Sequence, residues 1–209
     1  MSAAIPAYNP ATDAPAHHHP IYDYDSGPPV ERGKFAIWLF LATEIMFFTG
    51  LIGTYLILRS GTTSWPDPAN RLAVDLTAFN TFVLITSSWT MVRSLQSAQH
   101  GDKRGLLRWL GLTILGGSFF VGVQVFEYYE LWTHGSRPNV DIFWSTFYAM
   151  TGFHGLHVFV GVLWLIWAWI KAARGQYSPQ NHLGIELAGL YWHFVDLVWV
   201  LLFTIVYLF

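Results

Sequence analysis

Glu44, His154, His157, His193 and Asp196 are the residues whose types and spacing most invite chemistry. His154 and His157 stand three apart, as do His193 and Asp196, and residues three apart on a helix share a face. Imidazoles and carboxylates converging from facing helices are a donor set that iron or zinc takes, so a His/carboxylate metal site is one chemistry open to them. The other is mutual hydrogen bonding between facing helices, which needs no ion and is what buried polar groups most often do. Haem ligation fits less well, because a two-haem cytochrome brackets its macrocycles with histidines from two helices, whereas His154 and His157 occupy one turn. Glu127 and Glu130 follow Gln124; Glu130 is placed to reach water, and Glu127, beside Tyr128 and Tyr129, to be held by aromatic hydroxyls. The tract His17-His18-His19 sits in a Pro-rich segment and reads as incidental.

Absences narrow the field further. With no cysteine in the chain, disulfides, thiolate zinc sites, iron-sulfur clusters and cysteine nucleophiles are excluded. There is no Gly-rich phosphate loop, no Gly-x-Ser-x-Gly turn and no His-Glu-x-x-His helix. A net charge of −2, with no long basic or acidic run, supports no nucleic-acid partner.

The elements that must position these residues are transmembrane helices. Of 209 residues, 53% are hydrophobic, 18% aromatic and only 11% charged, more apolar surface than a soluble domain of this length can hide. Crossing about 30 Å of hydrocarbon takes about 20 apolar residues. Five runs qualify, at about 34–58, 72–97, 106–132, 142–171 and 183–209. They are apolar all round rather than alternating, which predicts helices and not a barrel. The expected fold class is therefore all-α: a polytopic membrane protein, a five-transmembrane-helix bundle spanning 34–209. Pro66, Pro68, Pro138 and Gly175 to Pro179 break the connectors. Residues 1–33, with Pro6, Pro10, Pro15, Pro20, Pro28 and Pro29, are expected to form an extended or disordered tail, and their pattern is not that of a signal peptide.

Arg32, Lys34, Arg93, Lys103, Arg104, Arg108, Lys171 and Arg174 fall on one side of this arrangement, against Arg59, Arg71 and Arg137 on the other. Eight against three places the N-terminus in the cytoplasm. Five crossings then put the C-terminus on the outer side, with Trp199 and Tyr207 expected near that interface. Glu44 falls ten residues into its span, roughly 15 Å deep, where a bare carboxylate is intolerable. It is expected to be protonated or hydrogen-bonded to a neighbouring helix. Small residues four apart, Gly50 and Thr54, Ser118 and Gly122, Gly184 and Ala188, are candidates for close helix approach.

Four strings carry a family resemblance: Thr43-Glu44-Ile45-Met46-Phe47-Phe48, Gln124-Val125-Phe126-Glu127-Tyr128, Gly152-Phe153-His154-Gly155-Leu156-His157 and Tyr191-Trp192-His193-Phe194-Val195-Asp196. In order and helix placement they resemble the signature segments of subunit III of cytochrome c oxidase and its haem-copper relatives, from about Phe35 onward. The longer members have seven spans, so this chain resembles the short five-span bacterial form, without the two helices that wall one side of a lipid-holding cleft. The resemblance implies a chain that binds no haem, copper or other metal, these being expected in partner subunits, with phospholipid as its one expected ligand. It implies packing on subunit I, neighbourhood with subunit II, and residence in the bacterial plasma membrane. The role implied is protection of the complex during turnover, support of proton uptake and a lipid-lined route for oxygen. Glu44 matches the family's buried, carbodiimide-associated glutamate. On this reading Glu44, His154, His157, His193 and Asp196 form a buried polar network, and Glu127, Tyr128, Tyr191 and Trp192 are expected at lipid or subunit contacts. Related alternatives are a quinol oxidase or an accessory subunit of nitric oxide reductase. From other classes come an intramembrane metal-dependent enzyme and a stand-alone transporter, although no inverted repeat is visible.

Overall fold

The structure, a computed structural model, describes residues 32–63, 65–66 and 71–208. The expected tail, with His17 to His19, lies outside the described residues except for its last two positions, as does Phe209. Five helices follow one another: α1 (Arg32–Ser60), α2 (Val74–Gln99), α3 (Lys103–Thr133), α4 (Ile142–Ala173) and α5 (Leu183–Phe203), the last running on into a π turn, Thr204–Leu208.

Local chemistry fixes where the helices stop. α2, α3 and α4 each end on a glycine in the left-handed region, Gly101, Gly135 and Gly175, with φ of 72°, 81° and 73°. At each, the glycine N–H and the N–H that follows turn back to carbonyls of the last turn, for example Gly101 to Ala98 and Asp102 to Ser97. This closes off carbonyls that a helix end otherwise leaves bare. Starts are capped too. The Asp102 carboxylate accepts from the N–H groups of Arg104 and Gly105 at 3.1 and 3.0 Å, and Asp141 accepts from Trp144 N–H at 2.9 Å. Arg71, from the α1–α2 connector, reaches the same Asp141 at 2.7 Å.

Backbones approach closely between α2 and α3, α3 and α4, α4 and α5, and α5 and α2, so these four helices form a closed ring. Small residues make the approach feasible. A side chain at Gly117 of α3 would collide with the Trp192 indole, and one at Gly116 would stand 2.8 Å from Ser87 Cβ. Of the pairs favoured by spacing alone, Gly50 and Gly122 face open space, whereas Gly184 lies close against Tyr177 and Ala188 is buried. α1 stands outside the ring against α4 and α5. It is attached along one stripe, Ile37, Leu41, Phe48 and Tyr55, while Trp38, Ile45, Met46 and Ile57 face outward.

α1, α3, α4 and α5 with its π turn are long and apolar enough to cross a membrane. α2 is more polar overall, and its polarity is directed inward. Thr77, Asn80, Thr81, Ser87, Ser88, Thr90 and Ser94 are buried, and Phe79, Phe82, Ile85, Trp89 and Val92 are exposed. A soluble helix distributes these residue types the other way round.

Candidate functional site

His154 sits at the centre of the molecule, with no exposed surface. Its ring stacks on Trp199 at 4.9 Å between centroids and meets Phe120 edge-on at 5.9 Å, and Phe48 of α1 approaches at 6.3 Å. Neither ring nitrogen has a hydrogen-bond partner among the described residues. One turn on, His157 is differently placed. Its Nδ1 lies 2.7 Å from the Phe153 carbonyl and its Nε2 lies 3.0 Å from Glu44 Oε2.

A carbonyl oxygen can only accept, so Nδ1 carries a hydrogen toward Phe153, and the contact of Nε2 with Glu44 Oε2 gives each of these polar groups a partner inside the bundle. Tyr191 of α5 donates its hydroxyl to the His157 carbonyl at 3.0 Å, so α1, α4 and α5 meet here.

His193 and Asp196 form no hydrogen bond with these three residues among those described. Asp196 lies toward Ser88 of α2, and neither its Oδ1 nor the Ser88 hydroxyl completes a hydrogen bond. The five polar residues singled out from sequence therefore divide into a Glu44–His157 bridge, an aromatic-enclosed His154, and a separate His193/Asp196 face. No three His, Asp or Glu side chains among the described residues converge as metal ligands.

A second polar cluster surrounds Glu127, which is 5% exposed. Tyr207 directs its hydroxyl at both carboxylate oxygens, 3.2 and 3.3 Å away, and Thr77 donates to one of them at 3.4 Å. The hydroxyls expected beside Glu127 were those of Tyr128 and Tyr129. The partner is instead Tyr207, on the widened π turn that ends α5. Tyr128 pairs with Thr151 at 2.7 Å, and the Gln124 amide donates to the Thr151 carbonyl at 2.8 Å.

Glu127, Tyr191 and Trp192, expected at lipid or subunit contacts, are enclosed by the bundle at 5%, 3% and 1% exposure. Trp199 and Tyr207 are likewise enclosed by the bundle. Trp192 explains why. Its ring fills the space left by Gly117 of α3 and Gly161 of α4, and its N–H donates to Ser87 of α2 at 3.0 Å. Trp199 repeats the pattern with Thr81, at 2.9 Å. Sequence reading missed both acceptors, although a run of hydroxyl residues on an otherwise apolar helix was the available signal.

Helices long and apolar enough for a membrane, with the hydroxyls of α2 turned inward and large apolar side chains outward, define a helical membrane-protein bundle whose interior polar groups serve one another. The family is more specific. A family model for cytochrome c oxidase subunit III matches residues 21–209. Cytochrome c oxidase subunit 3 of Thermostichus vulcanus is 37% identical over 194 residues, covering 92% of this chain and 90% of the relative. The Synechocystis protein of that name is 40% identical over 199 residues, covering 94% and 81%, and that of Bacillus sp. strain PS3 is 35% identical over 178 residues, covering 85% and 86%. The chain belongs to the cytochrome c oxidase subunit III family.

Proposed function

We propose that this chain is the non-catalytic third core subunit of a bacterial cytochrome c oxidase, packed on subunit I in the plasma membrane and prolonging the working life of the complex. Haem and copper reside in partner subunits, and subunit II lies nearby. The observation that carries the reading is the convergence of the four family strings in space. Glu44 of the first bonds His157 of the third, Tyr191 of the fourth bonds the His157 carbonyl, and Gln124 of the second bonds the Thr151 carbonyl just ahead of the third. The strings thus form one interior contact system that fixes helix positions.

All five helices cross the bilayer in this reading, α2 included, because its exposed face is apolar and its polar residues find partners inside. The N-terminus is cytoplasmic by the excess of Lys and Arg on that side. Glu44 acts as part of a structural pair rather than as a link in a proton wire. His154, the next histidine along, is enclosed by Trp199, Phe120 and Phe48 and offers no hydrogen-bonded continuation among the described residues.

The test compares the oxidase assembled with and without this chain. Oxygen reduction is expected to begin at a similar rate in both, with activity lost sooner during turnover in the complex lacking the chain. Glu44→Gln in the full complex is expected to leave the number of protons pumped per electron unchanged. Equal lifetimes, or a lowered pumping ratio in E44Q, would overturn the corresponding part of the reading.

A further inference from the structure

Of the titratable groups midway along the helices, Glu44 and Glu127 find partners inside the bundle, and His154 is enclosed by aromatic rings. His193 and Asp196 have neither arrangement. Both are half-buried, Asp196 on the side of α5 that adjoins α2 and His193 one turn away on the same face. They stand ten and thirteen residues beyond Leu183, about 15 and 20 Å along a helix that runs 26 residues with its π turn, and so near mid-bilayer. Ser88, midway along α2, completes the set. Its hydroxyl lies toward Asp196, yet neither that hydroxyl nor Asp196 Oδ1 completes a hydrogen bond among the described residues. The His193 ring forms no hydrogen bond or ion pair among them either.

The surroundings of these three residues are apolar. On α5, His193 is followed at intervals of four and three by Leu197 and Val200; on α2, Ser88 stands between Ile85 and Val92 at intervals of three and four. Leu197, Val200, Ile85 and Val92 are all exposed. Two antiparallel neighbours therefore present a pair of apolar ridges with polar groups only at their centre.

Lipid leaves that centre unanswered. Acyl chains neither donate nor accept hydrogen bonds, the bilayer core holds no water to do so, and a carboxyl or imidazole facing hydrocarbon is costly. A protein partner with a polar group at the same height removes the cost. The shape agrees, since a third helix seats in the groove between two ridges. The chemistry is narrowed as well. A carboxylate only accepts, whereas a hydroxyl and a neutral imidazole each donate and accept, so the group that serves all three must do both. A hydroxyl or amide side chain does; an ammonium or guanidinium only donates, and an aliphatic side chain does neither.

We propose that the α2–α5 face is the docking surface for a transmembrane helix of another subunit, which sets a hydroxyl or amide side chain against Asp196, His193 and Ser88 at mid-bilayer. This rests on the reading of the chain as an oxidase subunit whose α2 and α5 both cross the membrane.

A photoreactive residue in place of Leu197, in the assembled complex, tests it. The expected product is a cross-link to a transmembrane peptide of another subunit, with Ser, Thr, Tyr, Asn or Gln within one helical turn of the attachment point. A lipid adduct alone, a cross-link between two copies of this chain, or attachment to a segment with no such residue would overturn the proposal. Substitution at Asp196 supplies the second readout. Asp196→Leu is expected to lower the fraction of this chain retained by its partner subunits in mild detergent by about tenfold, and Asp196→Asn, which keeps hydrogen-bonding capacity, to restore most of it. Undiminished retention in Asp196→Leu would overturn the proposal, as would equal loss in both variants with melting unchanged. The cross-link is read with Asp196 intact, so a folding defect in a variant leaves that test standing. The two levels also separate. Haem and copper co-purifying with a chain whose position 197 meets only lipid keep the oxidase reading and remove this face. A cross-link to a partner in a complex without haem or copper keeps the face and removes the oxidase reading.

Discussion

Trp192 and Glu44 hold their helices by different means. Trp192 lies where four backbones are close enough that Gly117 and Gly161 must lack side chains, and its N–H is satisfied by Ser87. Glu44 lies on a helix with no comparable backbone approach to the ring, held through the His157 bridge, aromatic contacts from Phe47 and Phe48, and a Lys34–Glu186 ion pair of 2.9 Å near its start. The ring is close-packed, and a missing atom there leaves a void that cannot refill. α1 rests on long side chains that can readjust. Within one chain, therefore, stability concentrates in α2 to α5, and α1 is the element free to adapt to its surroundings.

The sharpest way to break this comparison is Trp192→Ala. Removing a buried indole from a packed interior costs about 3–5 kcal/mol, and here it also removes the N–H that the Ser87 hydroxyl accepts, leaving that hydroxyl only its own bond to the Leu84 carbonyl. Thermal unfolding in mild detergent is expected to shift sharply downward, with loss of assembled complex. If melting hardly moved, the ring would not be the rigid unit described. Next comes Glu44→Ala, which strands His157 Nε2 inside the bilayer, at a cost of about 1–3 kcal/mol. Its effect should be local: hydrogen exchange is expected to quicken in α1 while α2 to α5 keep their protection. Glu44→Gln keeps a donor for a neutral His157 and is expected to be milder than the alanine variant. If the two are equally damaging, the bridge is an imidazolium–carboxylate pair. Lys34→Ala should do least. That ion pair is about one-third exposed on each side, 32% and 27%, and such pairs contribute well under 1 kcal/mol. Unchanged exchange across α1 is expected.

The long features of the fold were legible in the sequence because they rest on composition. Apolar runs placed the five helices close to their observed bounds, although α2 carries enough Ser, Thr and Asn that only its inward orientation makes sense of it. Which residues meet was much less legible, because that depends on how each helix is rotated. The spacing of Gly50 and Thr54 looked as suitable for close packing as that of any pair, yet Gly50 faces open space and the tight contacts fall at Gly116, Gly117 and Gly161. The same applies to the polar residues. His154 and His157 share a helix face, but at three-residue spacing, short of a full 3.6, their directions differ by about one-sixth of a turn, enough to give one an aromatic cage and the other a carboxyl partner. Tyr207 finds Glu127 across 80 residues of chain, through a π turn that no local pattern announced.

The most direct test of the central claim is to purify the native complex through a tag on this chain, then record its reduced-minus-oxidised visible spectrum with a count of haem and copper. The account predicts co-purifying haem and copper at the stoichiometry of a terminal oxidase, none of it remaining on this chain once the subunits are separated. A colourless, metal-free chain that purifies alone and stays dispersed in mild detergent would contradict it.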